Sequence, residues 1–344
     1  MIADQVRIAV VGLGYWGPNL VRNLHELPEA EVAWICDRRP ETFERVRRRY
    51  PTIPATTQLG RVLDDPDVDA VAIATTVSTH YELARRALEA GKHVFVEKPL
   101  AASSEEAVAL ARLADEQSLV LMPGHTFLYS PPVNKIRDLI SSGELGEIYS
   151  ISMSRVNLGL HQPDVSVVWD LGPHDFSILR YWLGEVPSQV AALSRGCILP
   201  DIPDLAFVNL QFPSQTIASV ELSWLAPSKL RRTTIIGSNK MVVYDDTSVE
   251  PVRIFDSGVM LPDPETFGEY KLIYRTGDIV SPRIEAAEPL HLEMQDFCSA
   301  ILGDTVPRSS AQIGIDVIQI IEAADLSLAQ SGLPVGTATS DTAA

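Results

Sequence analysis

Apolar runs alternate with segments of helical period over the first 120 residues of the chain. Buried strands are predicted at VRIAVVGLG, EVAWICD, VDAVAIATT, KHVFVEKP and LVLMPGH. Helices are predicted between them at WGPNLVRNLHEL, PETFERVRRRY, HYELARRALEAG and SSEEAVALARLADEQS, the last with Ser103 or Ser104 as its N-cap. Apolar strands separated by helices are typical of a parallel sheet covered on both faces. An α/β, doubly wound domain is therefore predicted over residues 1–124.

The pattern changes after about residue 125. A helix at PPVNKIRDLISSG precedes predicted strands at EIYSISMSRVNLG, SQVAALSRG, LAFVNLQFP, TIASVELSWL, RRTTIIGS and KMVVYDD. These strands are expected to be joined by short turns without helices, with FPSQ and GSNK as hairpin connections. Two late helices are predicted near LHLEMQDFCSAILG and QIGIDVIQIIEAADLSLAQSG. The pattern indicates an α+β domain with a mainly antiparallel sheet over residues 125–335, then a flexible tail at 336–344.

Composition and charge exclude several classes of protein. A chain of 344 residues with 46% apolar and 21% charged residues fits two globular domains. The net charge of −17 argues against binding to nucleic acid or anionic membranes. No signal peptide or membrane-length apolar run is visible, so we expect a cytoplasmic protein. The three scattered cysteines, Cys36, Cys197 and Cys298, predict neither a disulfide framework nor a metal site.

A glycine motif follows the first predicted strand and opens the first helix. Gly12 permits a tight turn, Gly14 lets a pyrophosphate approach the backbone, and Gly17 lets helix and strand pack closely. Tyr15 and Trp16 lie within the motif and are expected to line the same site. The following helix N-terminus offers N–H groups to phosphates. The motif in this context predicts a dinucleotide site.

Asp37 ends the second predicted strand. It favours NAD, because its carboxylate accepts hydrogen bonds from ribose hydroxyls and repels the 2′-phosphate of NADP. Arg38 and Arg39 leave NADP open, since a guanidinium binds that phosphate.

A set of polar side chains follows the third predicted apolar strand. These residues are Thr75, Thr76, Ser78 and His80, and all are expected to line the cofactor at the carboxyl edge of the sheet. For His80 a second interpretation stays open, in which the ring is satisfied by backbone groups at a helix start.

Two segments carry candidate chemistry. Glu97 and Lys98 end a predicted strand of the nucleotide domain, where a lysine would sit over the crevice and exchange a proton once its pKa is lowered. Asp170 and His174 stand four residues apart and share one face if their segment is helical. That spacing provides an imidazole oriented by a carboxylate, a suitable proton acceptor from an alcohol. Each segment alone is also compatible with a structural role.

Taken together, these segments resemble the Gfo/Idh/MocA oxidoreductases, a family named for glucose–fructose oxidoreductase and inositol dehydrogenase. The resemblance runs through VVGLGYWG, AGKHVFVEKPLA, GELGEI, WDLGPHD, LHLEMQDF and GIDVIQIIEAA. It implies a Rossmann domain, an open and mainly antiparallel second sheet, and assembly into homodimers or homotetramers. It also implies hydride transfer between NAD or NADP and a sugar or cyclitol hydroxyl. The family lysine corresponds to Lys98, its histidine to His174 and its aspartate to Asp170.

A closer likeness lies in GHTFLYSP and RVNLGLHQPDVSVVWDLGPHD, which look like the branch of nucleotide-sugar 3-dehydrogenases and antibiotic-sugar enzymes. One departure is Val77, where many members have a proline. Polar and aromatic side chains in these segments are candidates for contact with substrate, namely His125, Tyr129, Arg155, Asn157, His161, Gln162 and Trp169. Ordinary structural roles stay open for them. A ketosugar reductase and a non-catalytic nucleotide-binding protein stay open as alternative functions.

Overall fold

The computed structural model describes residues 5–159, 161, 165–260 and 272–337. The chain forms two compact units, the first comprising residues 1–130 and 287–318 and the second 131–286 and 319–344. The predicted second domain included residues 287–318, which here fold with the first unit. The reason is a set of buried contacts such as that of Phe297 with Phe95, whose ring centroids lie 5.9 Å apart.

The first unit is built on a sheet of six parallel strands. The strands are β1 Val6–Val11, β2 Ala30–Cys36, β3 Ala55–Thr56, β4 Ala70–Ile73, β5 His93–Glu97 and β6 Leu121–Gly124. Their order in the sheet is β3-β2-β1-β4-β5-β6. The chain order therefore reverses between β1 and β4, the position where open α/β sheets bind nucleotides at their carboxyl edge. The predicted doubly wound sheet is confirmed.

Nine α-helices lie within the described part of the chain. They are α1 Gly17–Glu26, α2 Phe43–Arg47, α3 Leu59–Leu63, α4 His80–Glu89, α5 Ser104–Glu116, α6 Pro131–Ser141, α7 Val167–Leu183, α8 Pro289–Gly303 and α9 Ala311–Ala329. Short 3-10 segments lie at Pro40–Thr42, Val77–Thr79 and Thr126–Tyr129. The N-cap of α5 is Ser103, whose hydroxyl accepts from the backbone N–H of Glu106. None of the described helices has the length and apolar character needed to cross a bilayer.

The second unit is built on a mainly antiparallel sheet of nine strands. The strands are β7 Ile148–Leu158, β8 Gln189–Arg195, β9 Leu205–Gln211, β10 Ile217–Ser223, β11 Leu225–Gly237, β12 Met241–Asp245, β13 Val252–Phe255, β16 Ile279–Val280 and β17 Val335–Gly336. Their order is β16-β13-β12-β11-β7-β10-β9-β8-β17. The β7–β10 pair is parallel and the other pairs are antiparallel. Strands β14 Gly258–Met260 and β15 Ile273–Arg275 form a separate antiparallel pair.

The two predicted hairpins of this unit are confirmed. FPSQ connects the antiparallel pair β9 and β10, and GSNK connects β11 to β12. The expectation that no helix separates these strands is wrong, because α7 lies between β7 and β8. Gly172 and Pro173 interrupt the helical sequence pattern there, which explains why the helix was not predicted. At the start of the helix, the Ser166 hydroxyl accepts a hydrogen bond from the backbone N–H of Trp169.

Part of the tail predicted to be flexible is paired in the structure. Gly336 pairs with Gln189 of β8, and the Thr337 hydroxyl donates to the carbonyl of Pro187. The rest of that predicted tail, residues 338–344, lies outside the described residues.

Candidate active site

The glycine motif forms the turn between β1 and α1. Gly12 adopts a φ of +92°, and a β-carbon there would lie 2.5 Å from the carbonyl oxygen of Ala74. A β-carbon at Gly17 would lie 2.0 Å from the Gly12 oxygen, so both positions require glycine. At Gly14, by contrast, an added β-carbon would meet no described atom within 4 Å. The open space over Gly14 is what a pyrophosphate approaching the backbone needs.

The start of α1 has no side-chain cap. Trp16 occupies the N-cap position without a capping hydrogen bond from its side chain, and a proline stands in the first turn. Tyr15 is 76% exposed and Trp16 41% exposed, and their rings meet edge to face. A helix N-terminus uncapped by its own side chains suits an anionic phosphate.

Asp37 follows β2 and is held by the glycine turn itself. Its Oδ2 accepts from the N–H of Leu13 at 2.8 Å, and its Oδ1 accepts from the N–H of Arg39 at 2.9 Å. Burial opposes ionisation, but these bonds and the Arg39 guanidinium lower the pKa of Asp37. A carboxylate offers about four acceptor sites, so room remains for a ribose hydroxyl. The residues present therefore fit a bound dinucleotide.

The polar group after β4 is tied to the Lys98 segment. Thr75 and Thr79 share a hydrogen bond between their hydroxyls at 2.8 Å. The His80 ring is buried, with Nδ1 2.8 Å from the Pro99 oxygen and Nε2 3.2 Å from the Thr75 oxygen. Burial, followed by the charge of Lys98, lowers the pKa of His80. The neutral ring carries one N–H, so it donates to one of these two oxygens and lies against the other. These contacts with the loops that follow β4 and β5 favour the backbone-satisfied interpretation.

Lys98 comes directly after β5, at the carboxyl edge of the parallel sheet. It is half-buried, and the Lys98–Pro99 peptide bond is cis. Glu97 is buried, and its carboxylate accepts from the backbone N–H of Lys98. Burial raises the pKa of Glu97 to about 7, although the Lys98 charge opposes that rise. A cation beside a buried carboxyl group at this edge is suited to acid–base work near neutral pH.

His125 and Tyr129 lie just beyond β6, and both are buried. Burial, and then the charge of Lys98, lowers the pKa of His125 to about 3. The Tyr129 hydroxyl donates to Asp296 Oδ2 at 2.7 Å and accepts from the N–H of Ser309 at 3.1 Å. The observed contacts of Tyr129 are therefore structural, whereas the charge of Lys98 acts on His125.

In the second unit, Asp170 and His174 occupy successive turns of α7, and both are half-buried. Their spacing of four residues places them on one face of the helix, as the sequence predicts. Asp170 Oδ2 accepts from the indole Nε1 of Trp224 at 3.2 Å. The neighbouring Trp169 donates through its own Nε1 to Asp325 Oδ2 at 2.8 Å.

Trp224 is the partner of a predicted site residue, Asp170, and sequence reasoning missed it. It is 1% exposed, and it packs against Gly159, where a β-carbon would lie 2.4 Å from Trp224 Cδ1. Gly159 also donates its N–H to the Trp224 oxygen at 2.9 Å. The nearest sequence signal is this glycine at the end of a strand, which marks a close approach without identifying the partner.

The other predicted substrate residues differ in their surroundings. Arg155 is buried on β7 and forms a two-point ion pair with Asp175 of α7, with Nε–Oδ2 at 2.6 Å. These contacts favour the structural alternative for Arg155. Asn157 is half-buried on the same strand. His161 Nε2 lies 3.5 Å from Asp204 Oδ2, and Gln162 lies outside the described residues.

Comparison with protein-family models identifies both parts of the chain. Residues 6–125 match the model of the Gfo/Idh/MocA oxidoreductase family with an NAD-binding Rossmann fold. Residues 133–243 match the C-terminal domain of the same family.

Several characterised proteins are similar to this chain. The scyllo-inositol 2-dehydrogenase (NAD(+)) of Bacillus subtilis strain 168 is 31% identical over 236 residues, covering 65% of this chain and 68% of that protein. The 2,7-anhydro-N-acetylneuraminate hydratase of Escherichia coli K12 is 29% identical, covering 63% of this chain and 61% of that protein.

Solved structures share the fold over nearly the whole chain. GenD2 from gentamicin A biosynthesis, in complex with NAD, is 24% identical with a TM-score of 0.82, covering 98% of each chain. UDP-N-acetylglucosamine 3-dehydrogenase GnnA from Acidithiobacillus ferrooxidans is 23% identical with a TM-score of 0.78, covering 95% of this chain and 98% of that one. The chain thus carries the NAD-binding Rossmann domain and the C-terminal domain of the Gfo/Idh/MocA oxidoreductases, and it belongs to that family.

Proposed function

We propose that the protein is an NAD-dependent dehydrogenase acting on a secondary hydroxyl of a sugar, nucleotide-sugar or cyclitol. The observation that carries this proposal is the position of Lys98, a half-buried cation at the carboxyl edge of the Rossmann sheet whose charge acts on His80, Glu97 and His125. The substrate class is supported by the names of the inositol and nucleotide-sugar relatives. The same groups would serve a ketosugar reductase, because proton and hydride movements reverse together.

When bound, the nicotinamide supplies the hydride acceptor. The chain's own groups handle the proton and the charge on the substrate oxygen. Lys98 polarises that oxygen, His174 or Lys98 accepts the hydroxyl proton, and Asp170 orients His174. Trp224 holds Asp170 through its indole N–H. Both candidates for the proton acceptor stay open until they are tested separately.

The proposed dinucleotide site uses the glycine turn and three neighbouring groups of side chains. Its residues are Gly12, Gly14, Tyr15, Trp16, Gly17, Asp37, Arg38, Thr75, Thr76, Ser78, His80, Glu97 and Lys98. Asp37 favours NAD over NADP because a carboxylate repels the 2′-phosphate. The exposed Arg38 and Arg39 keep NADP as the second candidate.

We also propose that the protein acts in the cytoplasm as a homo-oligomer that associates through the second sheet. Large apolar side chains lie exposed on one face of that sheet, namely Leu193, Phe207, Ile217 and Ile236. Leu193 pairs with Phe207 across β8 and β9, so the exposed positions are neighbours. A face of this kind is stabilised when a second copy covers it.

The deciding experiment is a screen of nicotinamide reduction over inositols, free sugars and nucleotide-sugars, with NAD and NADP in parallel. Products are also analysed directly, since a hydratase is among the relatives. Lys98→Met and His174→Ala should each lower kcat by at least about 100-fold while the Kd for NAD changes little. Unchanged turnover in both variants would overturn the site assignment. Tight NAD binding without turnover of any candidate would favour a non-catalytic protein.

A further inference from the structure

Three buried side chains of the first unit have polar atoms that the mechanism above does not use. Glu97 Oε1, Glu293 Oε1 and both ring nitrogens of His125 have no hydrogen-bond partner among the described residues. Glu293 is 0% exposed, His125 1% and Glu97 7%. Leaving a buried polar atom unsatisfied costs roughly 1–3 kcal/mol, so four such atoms in one unit call for an explanation.

Each carboxyl group is held by its own neighbours. The Thr126 hydroxyl donates to Glu293 Oε2 at 2.7 Å, which leaves Oε1 as the atom of that group without a partner. Gly124 makes room for Glu97, since a β-carbon there would lie 3.3 Å from Glu97 Oε2. The two groups come from β5 and α8, elements distant in sequence that fold within the first unit. Phe297, one turn after Glu293 on α8, packs against Phe95 of β5 with ring centroids 5.9 Å apart, so the fold brings these two segments together.

The charges around the two groups decide which of them ionises. Burial and then the Glu97 charge raise the pKa of Glu293 well above its usual range, and Asp296 adds to that rise. Glu97 is also raised by burial, but Lys98 opposes the effect and its pKa reaches only about 7. Two adjacent buried carboxyl groups cannot both ionise near neutral pH. Glu97, next to the cation, is the group that loses its proton first.

We propose that Glu293 is a positioning residue for Lys98, acting through a carboxyl pair with Glu97 that holds one proton and one negative charge. The proton on Glu293 lets Glu97 ionise opposite the Lys98 ammonium, while His125 stays neutral. Glu97, Glu293, His125 and Lys98 then carry no net charge between them, and a hydrogen bond from the Glu293 proton to Glu97 would satisfy both Oε1 atoms. This role rests on the proposed function of Lys98, whereas the protonation of Glu293 does not.

Infrared difference spectroscopy of the full chain at pH 8 tests the proton directly. The spectrum of the wild type minus that of Glu293→Gln should contain the C=O stretch of a protonated carboxylic acid, because ordinary glutamates are ionised at this pH. Glu116→Gln is the matched control, since Glu116 is an exposed partner of Arg112 and should give no such band. Absence of the band in the Glu293 difference would overturn the proposal.

A second measurement tests the connection to Lys98. In Lys98→Met, the pH at which Glu97 loses its proton should rise, and its carboxylic acid band should persist to higher pH. In Glu293→Gln, that pH should stay unchanged, because glutamine imitates the protonated acid. If the pH at which Glu97 loses its proton is the same in Lys98→Met as in the wild type, the positioning role is overturned.

Kinetics then distinguish this inference from the proposed function. Glu293→Gln should keep kcat/KM within about twofold of the wild type, while Glu293→Leu should lower kcat more than it raises KM. Equal kcat in both variants contradicts positioning by Glu293. Unchanged turnover in Lys98→Met contradicts the proposed function, yet leaves the infrared assignment of Glu293 standing.

Discussion

At the scale of single residues, one hydrogen bond links a buried aromatic side chain to the candidate catalytic helix. The indole N–H of Trp224 donates to Asp170, the carboxylate proposed to orient His174. Bonds to charged acceptors are among the stronger ones in proteins. We therefore expect Trp224 to affect the proposed reaction through Asp170 without having to touch substrate.

We predict that Trp224→Phe lowers kcat by roughly 10- to 150-fold, because a lost bond to a charged group is worth roughly 1.5–3 kcal/mol. The Kd for NAD should not change. The control is Trp182→Phe, which removes a buried indole bond to the Val133 oxygen elsewhere in the same unit. Equal losses of kcat in the two variants would mean that only packing is affected. Both are measured by steady-state kinetics beside thermal unfolding.

At the scale of secondary-structure elements, a buried imidazole joins the ends of two neighbouring strands. His80 starts α4 and contacts the oxygens of Thr75, after β4, and Pro99, after β5. The two loops carry the proposed cofactor side chains and Lys98. The ring therefore adds a contact between these loops to the pairing of β4 with β5.

His80→Ala is expected to destabilise the protein by roughly 2 kcal/mol, since it leaves one buried carbonyl group without its N–H donor. It should also raise the Kd for NAD severalfold by loosening both loops. His25→Ala is the control, because His25 is exposed and its ring contacts Tyr50. Calorimetric titration with NAD and chemical unfolding measure the two effects. An unchanged Kd would contradict the coupling of the loops.

The secondary-structure elements could be predicted from the sequence only in part. Five of the six parallel strands and the helices α1, α2, α4 and α5 were predictable because local period and capping agree with the tertiary fold, as at Ser103. The two-residue strand β3 and the short helix α3 were not predicted. Helix α7 was missed as a continuous helix because Gly172 and Pro173 contradict the local pattern, and tertiary burial overrides them. The partners of Asp170 and Glu97 could not be predicted either. Trp224 and Glu293 reach them through chain folding over long sequence separations.

At the scale of the whole molecule, the buried carboxyl group of Glu97 connects stability to pH. Its pKa rises from a usual 4.5 to about 7 in the folded state. The folded state therefore binds more protons than the unfolded state within this range. Stability conferred by the protonated form is lost as pH rises from about 4.5 to about 7.

We predict that Glu97→Gln removes this loss, which amounts to as much as roughly 3 kcal/mol. The variant should gain stability relative to the wild type as pH increases over that window. Chemical unfolding at a series of pH values measures the difference. Parallel curves for the two proteins would contradict a raised pKa for Glu97.

Assembly is the second property at this scale. Phe207→Asp places a charge in the exposed apolar face of the second sheet, and it should convert an oligomer into monomers. Val249→Asp is the control, because Val249 is fully exposed in a turn. Sedimentation or light scattering gives the mass of each. An oligomer unaffected by Phe207→Asp would rule out association through this face.

The return of residues 287–318 to the first unit has a consequence for biosynthesis. A nascent chain that has emerged only to Ser130 contains every strand of the Rossmann sheet but lacks Asp296 and Ser309, the partners of Tyr129. The first unit can therefore be completed only after the second unit's sheet strands β7–β16 have left the ribosome. Truncated transcripts would yield an N-terminal domain with exposed apolar surface, a substrate for chaperones and proteases.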